Sequence, residues 1–329
     1  MMFENLRMKD VDGINLIVAV GSVDGILTSA AVLRAFGLKD AEIIFCQAFT
    51  VDRIPVEQWE PGRKVLFVDL AVNNRDEAMT SAFVARIVDA GHEIVGICDE
   101  HDAEAWSRVF ETNGLKIEDM AIQPISQKTC NIKSSGALLL SYLGKEADSR
   151  TKELCEAADA GDRMDFSTHF GGLVNMAIKS KIVDDSRRVY LAKHFASQRR
   201  PDEKILGWIA EYEAILKTHE EIISSAEKID PEIIRVNTIS KVIDMTTLMM
   251  ELYKKAPIVI VDGESYSPSA KAKVRQISVG LKPGYPMDIL ATLQAAGINA
   301  SGFAQKANLP PEEEEKAIAV IKAAIKKTE

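Results

Sequence analysis

Cysteine is scarce. Four occur in 329 residues, at Cys46, Cys98, Cys130 and Cys155, with no C-x-x-C pair among them. That pattern leaves no disulfide framework to read and points to buried, reduced thiols in a cytosolic protein. Long apolar runs are missing too: no stretch reaches the length of a membrane span, and the opening residues MMFENLRMKD contain no apolar leader. The expectation is a cytoplasmic chain with no membrane partner. Positive charge is in deficit, with 40 basic against 49 acidic side chains and a net charge of −9. Binding of long nucleic acid leans on a basic surface, so it is disfavoured, whereas a short nucleotide bound through a metal is not. The small basic cluster Arg187, Arg188, Lys193, Arg199 and Arg200 reads as a solvated helix face rather than an anion patch. No G-x-x-x-x-G-K-[ST] loop, G-x-G-x-x-G turn or G-x-S-x-G elbow is present. Phosphate cradles of the P-loop type, Rossmann dinucleotide sites and serine-hydrolase elbows are thereby set aside. Internal repeats and low-complexity linkers are absent as well.

What the chain does have is 47% hydrophobic residues and length enough for two domains. Three apolar runs in the first 100 residues each end at an aspartate. They are NLIVAVGSVDG with Asp24, KVLFVDL with Asp69, and HEIVGICDEH with Asp99 and His101. In an open parallel α/β sheet, ligands sit outside the carboxyl ends of the strands. Acids and an imidazole delivered there from separate strands point to a hard or borderline divalent metal.

Strands are predicted at 14–20, 42–46, 64–70 and 94–98, with a short fifth at 121–125. Helices fall at 26–36, along RDEAMTSAFVARIVDAG closed by Gly91, along DAEAWSRVFETNG with Asp102 as N-cap, and along SSGALLLSYLG and RTKELCEAADAGD. This alternation predicts an α/β fold with a doubly wound, mainly parallel sheet. From about residue 187 the pattern changes, and 203–229 reads as a long, charged amphipathic helix. Beyond Pro231 a smaller α+β unit is expected, with strands at IIRVNTI, PIVIVDG, KVRQISVGL and GFAQKAN. Its last helix is opened by Pro310 and Pro311, with Glu312 to Glu315 at the positive dipole end. The expected division is residues 1–186, a helical connector 187–229, and 230–329. The exposed face of the long helix would suit a homodimer.

Each candidate has a bland alternative. Asp24 opens a helix and Asp-Gly commonly caps a turn. Asp69 ends an apolar run, where an unpaired carboxylate is costly to bury. Asp102 is an N-cap. Of Asp159, Asp162 and Asp165, one is expected to be functional if the others named above are. His92, His169, His194 and His219 lack acidic company, and His219 reads as solvent-facing on the long helix.

Together these segments resemble the DHH phosphoesterase superfamily over nearly the whole chain. That superfamily includes RecJ-like nucleases, oligoribonuclease/pAp phosphatases, cyclic-dinucleotide phosphodiesterases and family II inorganic pyrophosphatases. GSVDGILTSAAVLRAF resembles the first motif, VLFVDL the second, CDEHD the third, and AADAGD the fourth, with Asp162 as its match. The C-terminal unit resembles the DHH-associated domain, with AAGINASGF at its glycine-rich segment. The departures are specific. Val20 and Ser22 stand where the first motif has histidine and aspartate, and Glu100 replaces the first histidine of the third motif. Gly297 or Ile298 stands near the place of the substrate-facing histidine, and Gly280 near that of an arginine.

The family site holds two metals bridged by the second-motif aspartate. The resemblance implies that one set of ligands survives as Asp24, Asp69, His101 and Asp162, and that the other is reduced to Asp69. One Mn2+ or Mg2+ ion is therefore expected. Asp69, His101 and Glu100 are the implied catalytic residues, with Glu100 as base or outer ligand. Ser278, Asn299 and Ser301 are the implied substrate contacts. The expected activity is hydrolysis of a phosphodiester or phosphoanhydride in a small phosphate-containing ligand or short nucleic acid. The alternative is a DHH fold that has lost hydrolysis and serves as a nucleotide-binding or protein-interaction scaffold.

Overall fold

The computed structural model describes residue 11, residues 13–267 and residues 272–326. The opening segment read for a leader, residues 1–10, lies outside the described residues. The chain packs as two compact units, which divide between Ala210 and Glu211.

In the first unit, β1 (Leu16–Val20), β2 (Glu42–Cys46), β3 (Lys64–Val68) and β4 (Glu93–Cys98) form an all-parallel sheet in the order β2-β1-β3-β4. Strand alternation sends Leu16, Val18, Val65 and Phe67 to one face, under α2 (Glu77–Asp89) and α3 (Ala103–Thr112). Trp106 stacks on Phe67 there, with ring centroids 5.5 Å apart. Ile17, Ala19, Leu66 and Val68 face the other way. They pack with α1 (Val23–Ala35), α4 (Ser135–Leu143), α5 (Ser149–Asp162), α6 (His169–Lys179) and α7 (Asp185–Ser197). Both faces are covered, as a doubly wound sheet requires. The strand order reverses between β1 and β3, and that switch point is where such sheets open a crevice for ligands.

Gly25 makes the β1–α1 turn possible. A Cβ on it would stand 2.1 Å from the Val20 carbonyl oxygen and 3.2 Å from Asp69 Oδ2. Gly25→Ala is expected to cost about 2–3 kcal/mol, as overpacking against rigid backbone does; urea unfolding reads this directly.

Several sequence expectations need correction. The fifth strand at 121–125 is a single bridge, Gly96 to Ile122, because Pro124 interrupts the run. Residues 169–179 and 185–197 form the helices α6 and α7. Arg187 and Arg188 are buried rather than solvated: Arg188 Nε donates to the Gly21 carbonyl at 2.9 Å. The long helix α8 (Glu203–Ser224) is shorter than expected, and residues 227–230 leave it to pair as β5 (Glu227–Asp230).

The second unit is a mixed sheet in the order β5-β6-β7-β8-β10-β9. Its other strands are β6 (Ile233–Asn237), β7 (Ile258–Ser267), β8 (Ala272–Leu281), β9 (Ser301–Phe303) and β10 (Lys306–Leu309). The single strand expected at GFAQKAN is thus the β9–β10 hairpin. Helices α10 (Ile289–Ala295) and α11 (Glu314–Ile325) cover one face, and α9 (Met245–Leu252) covers the other. His219 is buried, not solvent-facing: its Nε2 accepts from the Asp244 backbone N–H at 3.1 Å, at the start of α9.

Candidate metal centre

The carboxyl ends of β1, β3 and β4 carry the acids. Ser22, not Asp24, caps α1: its Oγ accepts from Gly25 N at 2.8 Å and donates to Asp69 Oδ2 at 2.5 Å. Asp24 is released from the capping role its Asp-Gly context predicts. Its carboxylate accepts from Thr28 Oγ1 at 2.8 Å, Ser135 N at 3.0 Å and Gly136 N at 3.1 Å, which ties α1 to the first turn of α4. Gly136 permits that approach, since a Cβ on it would stand 2.6 Å from Ala158 Cβ.

Asp69 ends β3 with φ +55°. Aspartate is among the few non-glycine residues that tolerate this left-handed region. Its backbone N–H donates to Cys98 O at 2.9 Å, which fixes the β3 end against the β4 end. After β4, Asp99 accepts from Trp106 Nε1 at 3.1 Å and meets His101 Nδ1 at 2.8 Å. Glu100 accepts from Ser135 Oγ at 2.7 Å, and its Oε1 lies 3.4 Å from His101 Nδ1. With Nδ1 engaged, Nε2 is the imidazole atom left for a metal or a substrate.

Two groups of ligand-capable atoms result, each within 4.8 Å: Asp69, Asp99, Glu100 and His101, and Asp24, Glu100 and Asp162. The four residues singled out by resemblance are divided between these groups, and Glu100 is common to both. Ser135 was not foreseen. Its only signal in the sequence is an S-S-G string opening a helix, and its bonds to Asp24 and Glu100 span 111 and 35 residues.

Electrostatics set the chemistry. Asp24, Asp69, Asp99 and Glu100 are all buried. Burial, then the Asp24 and Glu100 charges, push Asp69 well above the carboxylate range. Burial raises Asp24 to about 6. Burial, then Asp99 and Asp24, raise Glu100 to about 8. Partial burial also raises Asp162, at the rim. The hydrogen bond to Asp99 lifts His101 to about 10. Buried acids at such spacing must hold protons or a cation. An oxygen-rich donor set fits Mg2+ or Mn2+ better than a thiophilic ion. The nearby Cys98 thiol is pushed well up by burial and bonds Ser135 O. The Val20 side chain, at the end of β1, has no ligating atom.

The remaining candidates have structural partners. Asp159 accepts from Ser134 Oγ at 2.8 Å and pairs with Arg163. Asp165 accepts from Ser167 N, and Asp102 caps α3. His92 Nδ1 accepts from Arg63 N. His169 and His194 meet the backbone carbonyls of Arg199 and Arg200. In the second unit, Ser278 Oγ donates to Asn308 Oδ1 at 2.6 Å, while Asn299 and Ser301 are exposed at the entry to β9. A Cβ at Gly280 would stand 2.6 Å from Tyr253 Oη, so that position carries no side chain without repacking.

No family model matches the chain, and no curated protein matches it. Solved structures do. PggH, a pGpG-specific phosphodiesterase from Vibrio cholerae, is similar with a TM-score of 0.59 at 13% identity, over 95% of this chain and 98% of its own. RecJ from Thermus thermophilus, in complex with Mn2+, is similar with a TM-score of 0.52 at 11% identity, over 99% of this chain. The match covers 55% of that RecJ, so this chain spans about half its length.

Proposed function

From the DHH/RecJ-like fold that these likenesses establish, we propose that the chain is a divergent metal-dependent phosphoesterase acting on a phosphodiester or phosphoanhydride. The observation that carries this reading is that two acidic groups, Asp69, Asp99, Glu100 and His101 on one side and Asp24, Glu100 and Asp162 on the other, share Glu100 beyond the carboxyl ends of the strands at the switch point. The proposed ligand set is Asp24, Asp69, Glu100 and Asp162, because Glu100 belongs to both acidic groups and stands at the position of a lost histidine. His101, which the resemblance placed among the ligands, takes the part of the acid facing the substrate. Asp99 fixes its orientation through Nδ1, and its side chain is 40% exposed. A bound Mn2+ or Mg2+ ion would polarise a phosphoryl oxygen and lower the pKa of a coordinated water. Ser22 holds Asp69 in place, Ser135 holds Glu100, and protonated His101 is placed to donate from Nε2 to a departing oxygen.

No helix among the described residues is long and apolar enough to cross a membrane. The four free cysteines fit the cytoplasm as the proposed location.

The test is a hydrolysis screen with Mn2+ over short oligonucleotides, pAp, cyclic dinucleotides, pyrophosphate and polyphosphate. Turnover of at least one, absent with chelator, is expected. Turnover of none would leave the scaffold reading. One observation favours that second reading: Ser22 Oγ is spent on a hydrogen bond to Asp69 Oδ2, and neither it nor the Val20 side chain offers the imidazole and carboxylate that the resemblance would require for a second ion.

A further inference from the structure

Arg188 is a cation sealed inside the first unit. It is 7% exposed, and each nitrogen of its guanidinium has an acceptor. Nε donates to the Gly21 carbonyl at 2.9 Å, Nη1 to Asp185 Oδ1 at 2.9 Å, and Nη2 to the Ile182 carbonyl at 2.6 Å. The last two acceptors lie on α7 and on the loop before it. Gly21 is 167 residues away, in the turn between β1 and α1. To hold α7 against that turn, an apolar side chain of similar volume often packs as well as a buried ionic group. What a guanidinium adds is direction.

The carbonyl that Arg188 holds belongs to the peptide joining Gly21 to Ser22. That unit is planar, so restraint of the Gly21 oxygen also restrains the Ser22 Cα. Ser22 Oγ in turn donates to Asp69 Oδ2 at 2.5 Å while accepting from Gly25 N at 2.8 Å. A series of contacts therefore runs from α7, through the β1–α1 turn, to a proposed metal ligand. Gly21 is fitted to it. The three atoms nearest a Cβ built there all belong to Arg188, with Nε at 2.5 Å and Cδ at 2.7 Å. The φ of Gly21 is not in the left-handed region, so Arg188, and not backbone strain, keeps a side chain out of this position. A cavity of about 480 Å3 opens beside the pair, lined by both of them and by Ile44, Phe45 and Cys46 of β2. The arginine has space to move into once its contact with Gly21 is broken.

We propose that Arg188 is a positioning residue for the metal centre. Through the Gly21 carbonyl it sets Ser22, and through Ser22 it aims the Asp69 carboxylate. This rests on the proposed role of Asp69 as a ligand, and not on which phosphate is cleaved.

The experiment is calorimetric titration of the chelator-treated full chain with Mn2+, well below the melting temperature of every variant. Gly21→Ala leaves all charges in place and turns Arg188 aside into the cavity. It is expected to weaken Mn2+ binding roughly tenfold, the lower end of what loss of an outer contact to a ligand costs. Arg188→Ala should show a similar loss. The double variant should lose no more than Arg188→Ala, because the arginine that the new methyl group displaces is already gone. Arg187→Ala is the control for stability. Arg187 is equally buried on the same helix, but its guanidinium lies over the Trp208 ring, 5.0 Å from the centroid, and bonds Ser180. Its loss should lower the melting temperature and leave Mn2+ affinity unchanged. Wild-type affinity in either single variant, additive losses in the double variant, or an equal loss in Arg187→Ala overturns the assignment. If Arg188→Ala does not fold, Gly21→Ala against Arg187→Ala decides. If the losses hold and the wild type hydrolyses none of the screened phosphates, the assignment stands and the enzymatic reading fails. If the wild type hydrolyses one and the variants bind Mn2+ normally, the assignment fails and the enzymatic reading stands. A wild type that takes up no Mn2+ overturns both.

Discussion

Asp69→Asn is expected to weaken Mn2+ binding roughly a hundredfold or more, beyond what removal of a supporting outer contact costs, while raising the melting temperature of the metal-free protein. The two effects have opposite signs for one reason. Asp69 is buried beside Asp24 and Glu100, and burial and these charges both oppose its ionisation. Asparagine keeps the volume, accepts the Ser22 hydrogen bond and tolerates φ +55°, so the fold loses little. What disappears is one acid that, without a cation, must either take up a proton or stay charged beside its neighbours. The metal-free gain should be about 1–2 kcal/mol, or a few degrees in a unit of this size. Asp69→Ala should lose the metal as well, but without the thermal gain, because alanine is strained in the left-handed region. Calorimetry and thermal melts with chelator measure both arms. An Asp69→Asn variant that keeps Mn2+ binding and loses stability in chelator would mean that Asp69 is held by structure alone.

The second large effect is on pH. An acid whose pKa is higher in the folded chain than in the unfolded one binds more protons when folded, so stability falls as pH rises between the two values. For Asp24 that interval runs from 3.8 to about 6, and for Glu100 from 4.5 to about 8. His101 has the same slope for a complementary reason. Its pKa rises from 6.5 to about 10 beside Asp99, so its stabilisation is complete below 6.5 and is lost as pH climbs through 10. The metal-free protein should therefore melt at progressively lower temperature from pH 5 to pH 8. A divalent ion must displace the same protons, so its affinity and its stabilising effect grow over the same range. At about a hundred times its dissociation constant the ion should raise the melting temperature by roughly 5–10 °C, and by far less at pH 5. Scanning calorimetry with and without Mn2+ across this range reads the effect. Equal stabilisation at both ends would separate the ion from the acids.

Much of this was legible because the informative residues are local. Each parallel strand is a short apolar run, and Asp24, Asp69 and Asp99 lie just beyond the strand ends, where the topology must bring them together. Asp162 was legible only through its resemblance to a fourth motif, since Asp159 and Asp165 have the same local character. Legibility failed where a residue's role depends on a distant partner. The bond of Asp24 to the α4 amides crosses 111 residues, and no local pattern distinguishes it from a helix cap. Glu100 reads as a substitution, and its membership of both acidic groups is a tertiary fact. Arg187 and Arg188 look solvated because charge normally is, yet α7 buries them and Arg188 reaches the Gly21 carbonyl. His219 sits among charged neighbours on α8, and the backbone N–H of Asp244, at the start of α9, meets its buried Nε2 from 25 residues away. Residues 227–230 are polar enough to continue a helix, but at the edge of a sheet their exposed charges are what an edge strand needs.

The central claim is that these acids form one divalent centre, with Ser22 and Val20 standing where a second ion would need ligands. Isothermal titration of the chelator-treated wild type with Mn2+ at pH 8 tests it most directly. One ion per chain is predicted, with proton release on binding and the signal lost in Asp69→Asn. Two tight ions per chain, or none, would contradict it.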